Sequence, residues 1–286
     1  MSERHSKSHQ TIRLIKSLLA KGYAYWHKCD VFYDPLKFKG FGRLYGLDMK
    51  RWPKTRRHFR KDTYNGMRWN LGDFVLWHGY RGGDEVSWET GIGRGRPAWN
   101  VQDAAMATKF LGFRIDVSCG GIDNLYRHHD YTIAVAEGVS GKEFSRYWLH
   151  GEHLLVEGKK MSKSRGNVVY VDDLLRRGYG PEQIRFYLIY GHYRRRMSLT
   201  EDKLREAVKT LDDLREMVGE LISARPSAIG PCEVADELVV TLKRRFEEHM
   251  NDDLDVKGAF DALLKAMQEI GNVLQVIFQK GEAHGL

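Results

Sequence analysis

Apolar side chains recur at Ile12, Leu14, Ile15, Leu18 and Leu19, three and four apart, and the run stops at Lys21-Gly22. That period predicts a helix over 8–22 ended by a glycine. "YAYWHKCDVFYD" (23–34) is rich in aromatic and β-branched residues and predicts a hairpin. Residues 35–98 read as loop, apart from the strand-like "DFVLWHGY" at 73–80. A helix is expected from Val101 to Leu111, and a strand over "FRIDVSCGG" (113–121), ending in glycines. Residues 124–137 read as helix. "RYWLHGEHLLVEG" (146–158) alternates and predicts one strand. "VDDLLRRG" (171–178) carries acids first and bases last, which suits a helix dipole. "PEQIRFYLIYGHY" (181–193) puts proline in a helix's first turn.

The pattern changes at Ser198. "SLTE" has capping-box spacing, and Leu204, Val208, Leu211, Leu214, Val218 and Leu221 form a helical apolar seam. "ARPSAIGP" (224–231) breaks it, and two further helices are expected near 233–249 and 255–279. The reading is an α/β part followed by an α-helical bundle. Its segments are 1–22 (helix), 23–98 (β-rich insertion with the hairpin), 99–197 (nucleotide-binding half) and 198–286 (bundle).

Composition narrows the class. The chain has 286 residues, 42% hydrophobic and 29% charged, enough for one large domain or two smaller ones. No apolar run reaches the ~18 residues of a membrane span. The polar start "MSERHSKSHQ" has no signal-like apolar core, so a cytoplasmic protein is expected. Cys29, Cys119 and Cys232 are far apart and odd in number, against a disulfide framework. The net charge of +8 suits polyanions such as nucleotides or tRNA, or simply a basic soluble surface. Two places concentrate it: "KRWPKTRRHFRK" (50–61), with Trp52 and Phe59 interleaved, and Arg194, Arg195 and Arg196 after His192-Tyr193.

The candidate chemistry lies in "GKKMSKSRGN" (158–167). Glycine-flanked lysines at a strand end can approach an anion closely. One ammonium about 4 Å from a phosphate oxygen is worth roughly 4 kcal/mol at an effective dielectric near 20. On chemistry alone, a solvated Lys-Ser surface loop is the better reading.

The string Lys160-Met161-Ser162-Lys163-Ser164 is identical to the KMSKS motif of class I aminoacyl-tRNA synthetases. With "YWLHGEHLLVEGKKMSKSRGN" (147–167), "YGHYR" (190–194), "DFVLWHG" (73–79), "GRPAW" (95–99), "GGIDNLYRHH" (120–129) and "MNDDLDVKGAFDAL" (250–263), the chain resembles the cysteinyl-tRNA synthetase family. The resemblance implies a partial Rossmann-type parallel sheet, with ATP, accompanied by Mg, as ligand. It places Lys160, Ser162 and Lys163 on the ATP phosphates, and Gly120, Gly121 and Asp123 at the ribose. It places the backbone of Leu155 and Val156 at adenine, and Trp99 in the amino-acid pocket. From the residues alone, Asp123 also reads as a turn aspartate and Trp99 as a core residue. Cys119 reads as a small buried filler or a catalytic thiol.

The sequence departs from the family in three ways. No His-x-Gly-His occurs, so the chain is read as beginning after the family's HIGH half. The family's zinc positions are changed: Asp103 replaces a Cys and Thr132 a Glu, while His128 is kept and Asn100 replaces a nearby His. Zinc is therefore not expected. No counterpart of the anticodon domain is expected after residue 286. A sheet missing half its strands is expected to need cover, from a second polypeptide or a second copy. Three readings stay open: an ATP-dependent ligase of an amino acid or another carboxylic acid, a non-catalytic nucleotide- or tRNA-binding protein, or a subunit docking on a synthetase.

Overall fold

The computed structural model describes residues 2–51, 72–83, 85–223 and 233–283. Most of the basic run at 50–61, with Trp52 and Phe59, lies outside the described residues, as do Cys232 and the break at 224–231. The chain divides into two compact units, Met1–His150 and Gly151–Leu286.

In the first unit, α1 (Ser2–Ala20) buries Leu14, Ile15 and Leu18, the predicted stripe. It ends where Gly22 takes a left-handed φ of 75° and Tyr23 N donates to Leu18 O at 3.0 Å. The predicted hairpin is β1 (Ala24–His27) and β2 (Asp30–Tyr33), antiparallel with Ala24 opposite Tyr33. β3 (Phe74–Gly79) and β4 (Gly95–Pro97) extend it to an antiparallel sheet in the order β1-β2-β3-β4. α2 (Trp99–Phe110) follows, then β5 (Ile115–Gly121) and a single turn, α3 (Ile122–Asn124). A π-helical stretch (Leu125–His129) leads into α4 (Asp130–Ser140), and β6 (Ser145–Gly151) closes the unit. At the shared start of β5 and β6, Ile115 N donates to Phe144 O at 2.8 Å. The two strands therefore run the same way with α4 as their crossover, a βαβ unit.

Aromatic rings join sheet to helix. Tyr33 stacks on Phe74 (4.7 Å between centroids), and Phe74 on Tyr131 of α4 (4.0 Å). Tyr33 Oη donates to Ala134 O at 2.9 Å, and burial pushes its phenol above the ordinary range. Gly138 permits this approach. A Cβ there would sit 3.0 Å from Leu18 Cδ2 and 3.2 Å from Tyr33 Oη. Buried Glu137 takes both Arg43 nitrogens, at 2.8 and 2.5 Å, and the Phe144 amide at 3.0 Å.

In the second unit, β7 (Leu154–Val156) pairs antiparallel with β8 (Lys159–Lys160) and parallel with β9 (Met197–Leu199). Between them run α5 (Val171–Arg176) and α6 (Pro181–Ile189). The strand expected over 146–158 is thus two strands, interrupted at Glu152-His153. α7 (Glu201–Ser223), α8 (Glu233–Asn251) and α9 (Val256–Ala283) complete the unit. The α7 seam is buried at Leu204 and packed at Val208 and Leu211, but Val218 and Ile222 are exposed. The expected Ser198–Glu201 capping box does not form. Ser198 belongs to β9, where its Oγ accepts from Gly158 N at 2.8 Å, and Thr200 Oγ1 caps α7 by accepting from Lys203 N at 3.3 Å. Asp255 caps α9, its Oδ1 accepting from Gly258 N at 3.1 Å. Phe260 packs edge-on against Phe186 of α6. The α/β organisation with helices after Ser198 is as the sequence implies.

Candidate functional site

β7 and β8 form a hairpin whose turn, Glu157-Gly158, has φ of 48° and 71°. Two successive positive φ values match the twist of the flanking strands. The root is fixed by Glu157 N donating to Leu199 O at 3.1 Å, and by the Gly158–Ser198 bond. Leu155 pairs with Lys160 on one side and Ser198 on the other, and Val156 with Lys159 and Leu199. The backbone of both is thereby held in the ladder.

Beyond the hairpin, residues 163–165 make one 3-10 turn closed by left-handed Gly166. A side chain that sequence reasoning gave no role, Asn167, organises this loop. Its Oδ1 accepts from Ser162 N at 2.9 Å, and its Nδ2 donates to Lys160 O at 3.3 Å. One planar amide thus clasps both ends of the Lys160–Ser162 segment. Ser162 and Ser164 hydroxyls meet at 3.3 Å. Lys160 and Lys163 are exposed, and neither has a carboxylate partner among the described residues. The loop presents two cations on a fixed frame. Its only sequence signal for Asn167 was position, seven residues after Lys160.

In the first unit, Gly120 and Gly121 end β5 and Asp123 opens the helical segment. Gly120 is required by space: a Cβ would lie 2.6 Å from His129 Cε1. That imidazole shares a 2.7 Å hydrogen bond, Nδ1 to Nε2, with buried His150, and its ring lies 4.9 Å from Trp148. Burial first, then His150 and His128, lower the His129 pKa to about 4, so it is neutral at pH 7. Sequence reasoning gave His150 no role. Cys119, expected as a buried filler, is instead exposed.

Trp99, the first residue of α2, is 59% exposed, so the core reading of it does not hold. Asn100 beside it is buried and donates from Nδ2 to Val75 O at 3.0 Å, tying α2 to β3. Asp103, one turn on, pairs with His128 Nε2 at 2.5 Å. Thr132 Oγ1 donates to His128 O at 3.0 Å, an ordinary helical back-bond. These residues do not fit zinc. Asp103 and His128 satisfy each other, Thr132 is turned to its own helix, and among the described residues no three His, Cys, Asp or Glu side chains gather as ligands.

The arginine knot is largely engaged within the second unit. Arg194 pairs with Asp253, Nη2 to Oδ1 at 3.1 Å and Nε to Oδ2, while Tyr193 Oη donates to the same carboxylate at 2.7 Å. Arg194 and Tyr193 together lower the Asp253 pKa to about 2. Arg196 binds Glu152 at 3.1 Å. Arg195 is exposed.

A family model described as tRNA synthetases class I (C) catalytic domain matches residues 2–209. Cysteine–tRNA ligases of Chlamydia felis and Leptospira interrogans are 36% and 33% identical over 269 and 268 residues, each covering 93% of this chain. The chain spans about 56% of the length of these relatives. Among solved structures, a putative arginyl-tRNA synthetase from Campylobacter jejuni aligns over 95% of this chain and 54% of its own, with 10% identity and a TM-score of 0.52. Mycobacterium tuberculosis methionyl-tRNA synthetase in complex with methionyl-adenylate aligns over 71% of this chain and 44% of its own, with 18% identity and a TM-score of 0.52. These two establish the fold. No helix among the described residues is long and apolar enough to cross a membrane. By motif, family model and fold alike, the chain belongs to the class I (C) tRNA synthetase catalytic-domain family and is cysteine–tRNA ligase-like.

Proposed function

We propose that this chain binds ATP through the Lys160–Ser164 loop and serves activation of a carboxylic acid as its adenylate. In that reaction a carboxylate oxygen attacks the α-phosphorus, the bond from phosphorus to the bridging oxygen breaks, and pyrophosphate leaves. Charge accumulates on the departing phosphates, and Lys163, with Lys160 and the Ser162 hydroxyl, stabilises it there. Mg accompanies the triphosphate. The adenylate's acyl group then passes to tRNA or another nucleophile.

The observation that supports this reading is the Asn167 clasp on the Lys160–Ser162 backbone, in a loop whose Lys160 and Lys163 have no carboxylate partner among the described residues. Calorimetry with ATP tests it. Lys163→Ala is expected to weaken binding at least tenfold, since one such contact is worth up to roughly 4 kcal/mol, and to lower acid-dependent pyrophosphate exchange about 10²–10³-fold. ATP binding unaffected by Lys160→Ala and Lys163→Ala together would sink it. A second reading, nucleotide or tRNA binding without catalysis, is favoured by the Asp103–His128 pair standing where the family's zinc ligands stand. Tight ATP binding without exchange for any acid would select it.

A further inference from the structure

We infer that the acyl-substrate pocket reads its substrate's side chain by hydrogen bonding to Asp103 and not through a metal, and that this substrate carries a hydroxyl or amine and not a thiol. The inference rests on the adenylate reading above. Its structural basis lies within the first unit. Trp99 and Asp103 are four residues apart on α2, so they share a face, and both are substantially exposed: Trp99 by 59%, the Asp103 side chain by 48%. His128 is mostly buried, and its Nε2 holds one carboxylate oxygen at 2.5 Å. The Thr132 back-bond and the helical segment fix His128 in turn.

A carboxylate has about four acceptor sites, and one pairing leaves capacity for a second donor. Hydroxyl and ammonium groups are good donors; a thiol S–H is a weak one. Trp99 adds an aromatic face, which favours a cationic group near it. The chemistry of the set argues against zinc: Asp103 and His128 are two ligands where a closed site takes three or four, and Thr132 offers no anionic ligand. A site without thiolate coordination also has little with which to prefer sulfur, since apolar contacts separate similar small side chains by only about 10- to 200-fold.

Two measurements test this. In the first, the purified full chain is incubated with zinc sulfate, desalted and assayed for metal. Substoichiometric zinc is expected. One zinc per chain that is lost in Asp103→Asn would overturn the inference. In the second, 5′-sulfamoyl adenosines bearing seryl, diaminopropionyl, cysteinyl and alanyl groups are titrated calorimetrically. The seryl or diaminopropionyl compound should bind about 10- to 100-fold more tightly than the alanyl and cysteinyl compounds, as a hydrogen bond to a charged group implies. Asp103→Asn, close in shape, should abolish that preference, bringing the seryl and diaminopropionyl compounds to the affinity the same variant has for the alanyl compound. Tightest binding of the cysteinyl compound, or equal binding of seryl and alanyl, would overturn the inference. If unsubstituted 5′-sulfamoyl adenosine and all four analogues fail to bind, the adenylate reading has failed, and the zinc measurement alone decides this one.

Discussion

Asn167→Ala isolates the contribution of loop order from that of loop charge. The substitution removes the acceptor for Ser162 N, at 2.9 Å and partly buried, and the donor to Lys160 O, at 3.3 Å and exposed. A typical net hydrogen bond contributes about 1 kcal/mol, and an exposed one less, so the pair contributes roughly 1.5 kcal/mol to the clasped arrangement. That corresponds to about a tenfold change in the population of the clasped loop. If only the clasped loop binds, apparent affinity falls by the same fraction, so ATP should bind up to about tenfold more weakly. No lysine is touched, and the enthalpy per bound ATP should be little altered. Hydrogen exchange gives a local control, because the Ser162 amide loses its protein acceptor and should exchange faster. Asn167→Asp sharpens the test. It keeps the acceptor, loses the donor and adds an anion, so it should weaken ATP more than alanine does, and the excess should shrink in high salt. Faster Ser162 exchange together with ATP affinity within about twofold of the parent would refute the reasoning, because the lysines would then act without their frame.

Other outcomes follow from the same structure. Asp130 is 1% exposed, and burial raises its pKa to about 6, so it adds stability below pH 4 that is lost as pH rises to 6. His129, lowered to about 4, acts oppositely, with stability lost as pH falls from 6.5 towards 4. Each amounts to about 3 kcal/mol, so the melting temperature should be nearly flat over this range and should climb with pH in Asp130→Asn; a flat variant profile would count against the assignment. Gly120→Ala should lower stability by about 1–3 kcal/mol, read by denaturant melts, as its Cβ displaces the His129 ring. Asp253→Asn should lower the melting temperature of the second unit at low salt, with the gap to the parent closing as salt is added, because its partners Arg194 and Tyr193 are held by charge.

What the sequence made legible was local. Period three-to-four gave α1 and the first half of α7, and the aromatic run gave the β1–β2 hairpin, because one buried face writes itself into neighbouring positions. Misreadings came where a distant segment decided the matter. Ser198 looked like a cap but pairs with Leu155 of β7, forty-three residues earlier. The Cys119 environment depended on what packs over β5, which spacing cannot tell. The partners of Arg194 and Arg196, Asp253 and Glu152, lie 59 and 44 residues away. Within the loop, the motif named its lysines and serines at once. The amide that clasps them was not legible, because asparagine after glycine reads as generic turn chemistry.

The pairing of Arg194 and Arg196 relocates the pull on polyanions. With two of the knot's three guanidiniums neutralised at home, its far field approaches that of a single charge. The hairpin tip and loop, by contrast, carry Lys159, Lys160, Lys163 and Arg165 over seven consecutive residues without an acid among them. A polyphosphate drifting in from solution is drawn to that clasped cluster of cations, whose reach shortens to about 10 Å at 0.1 M salt. Capture rate, more than residence time, is then the quantity that ionic strength should govern in this molecule.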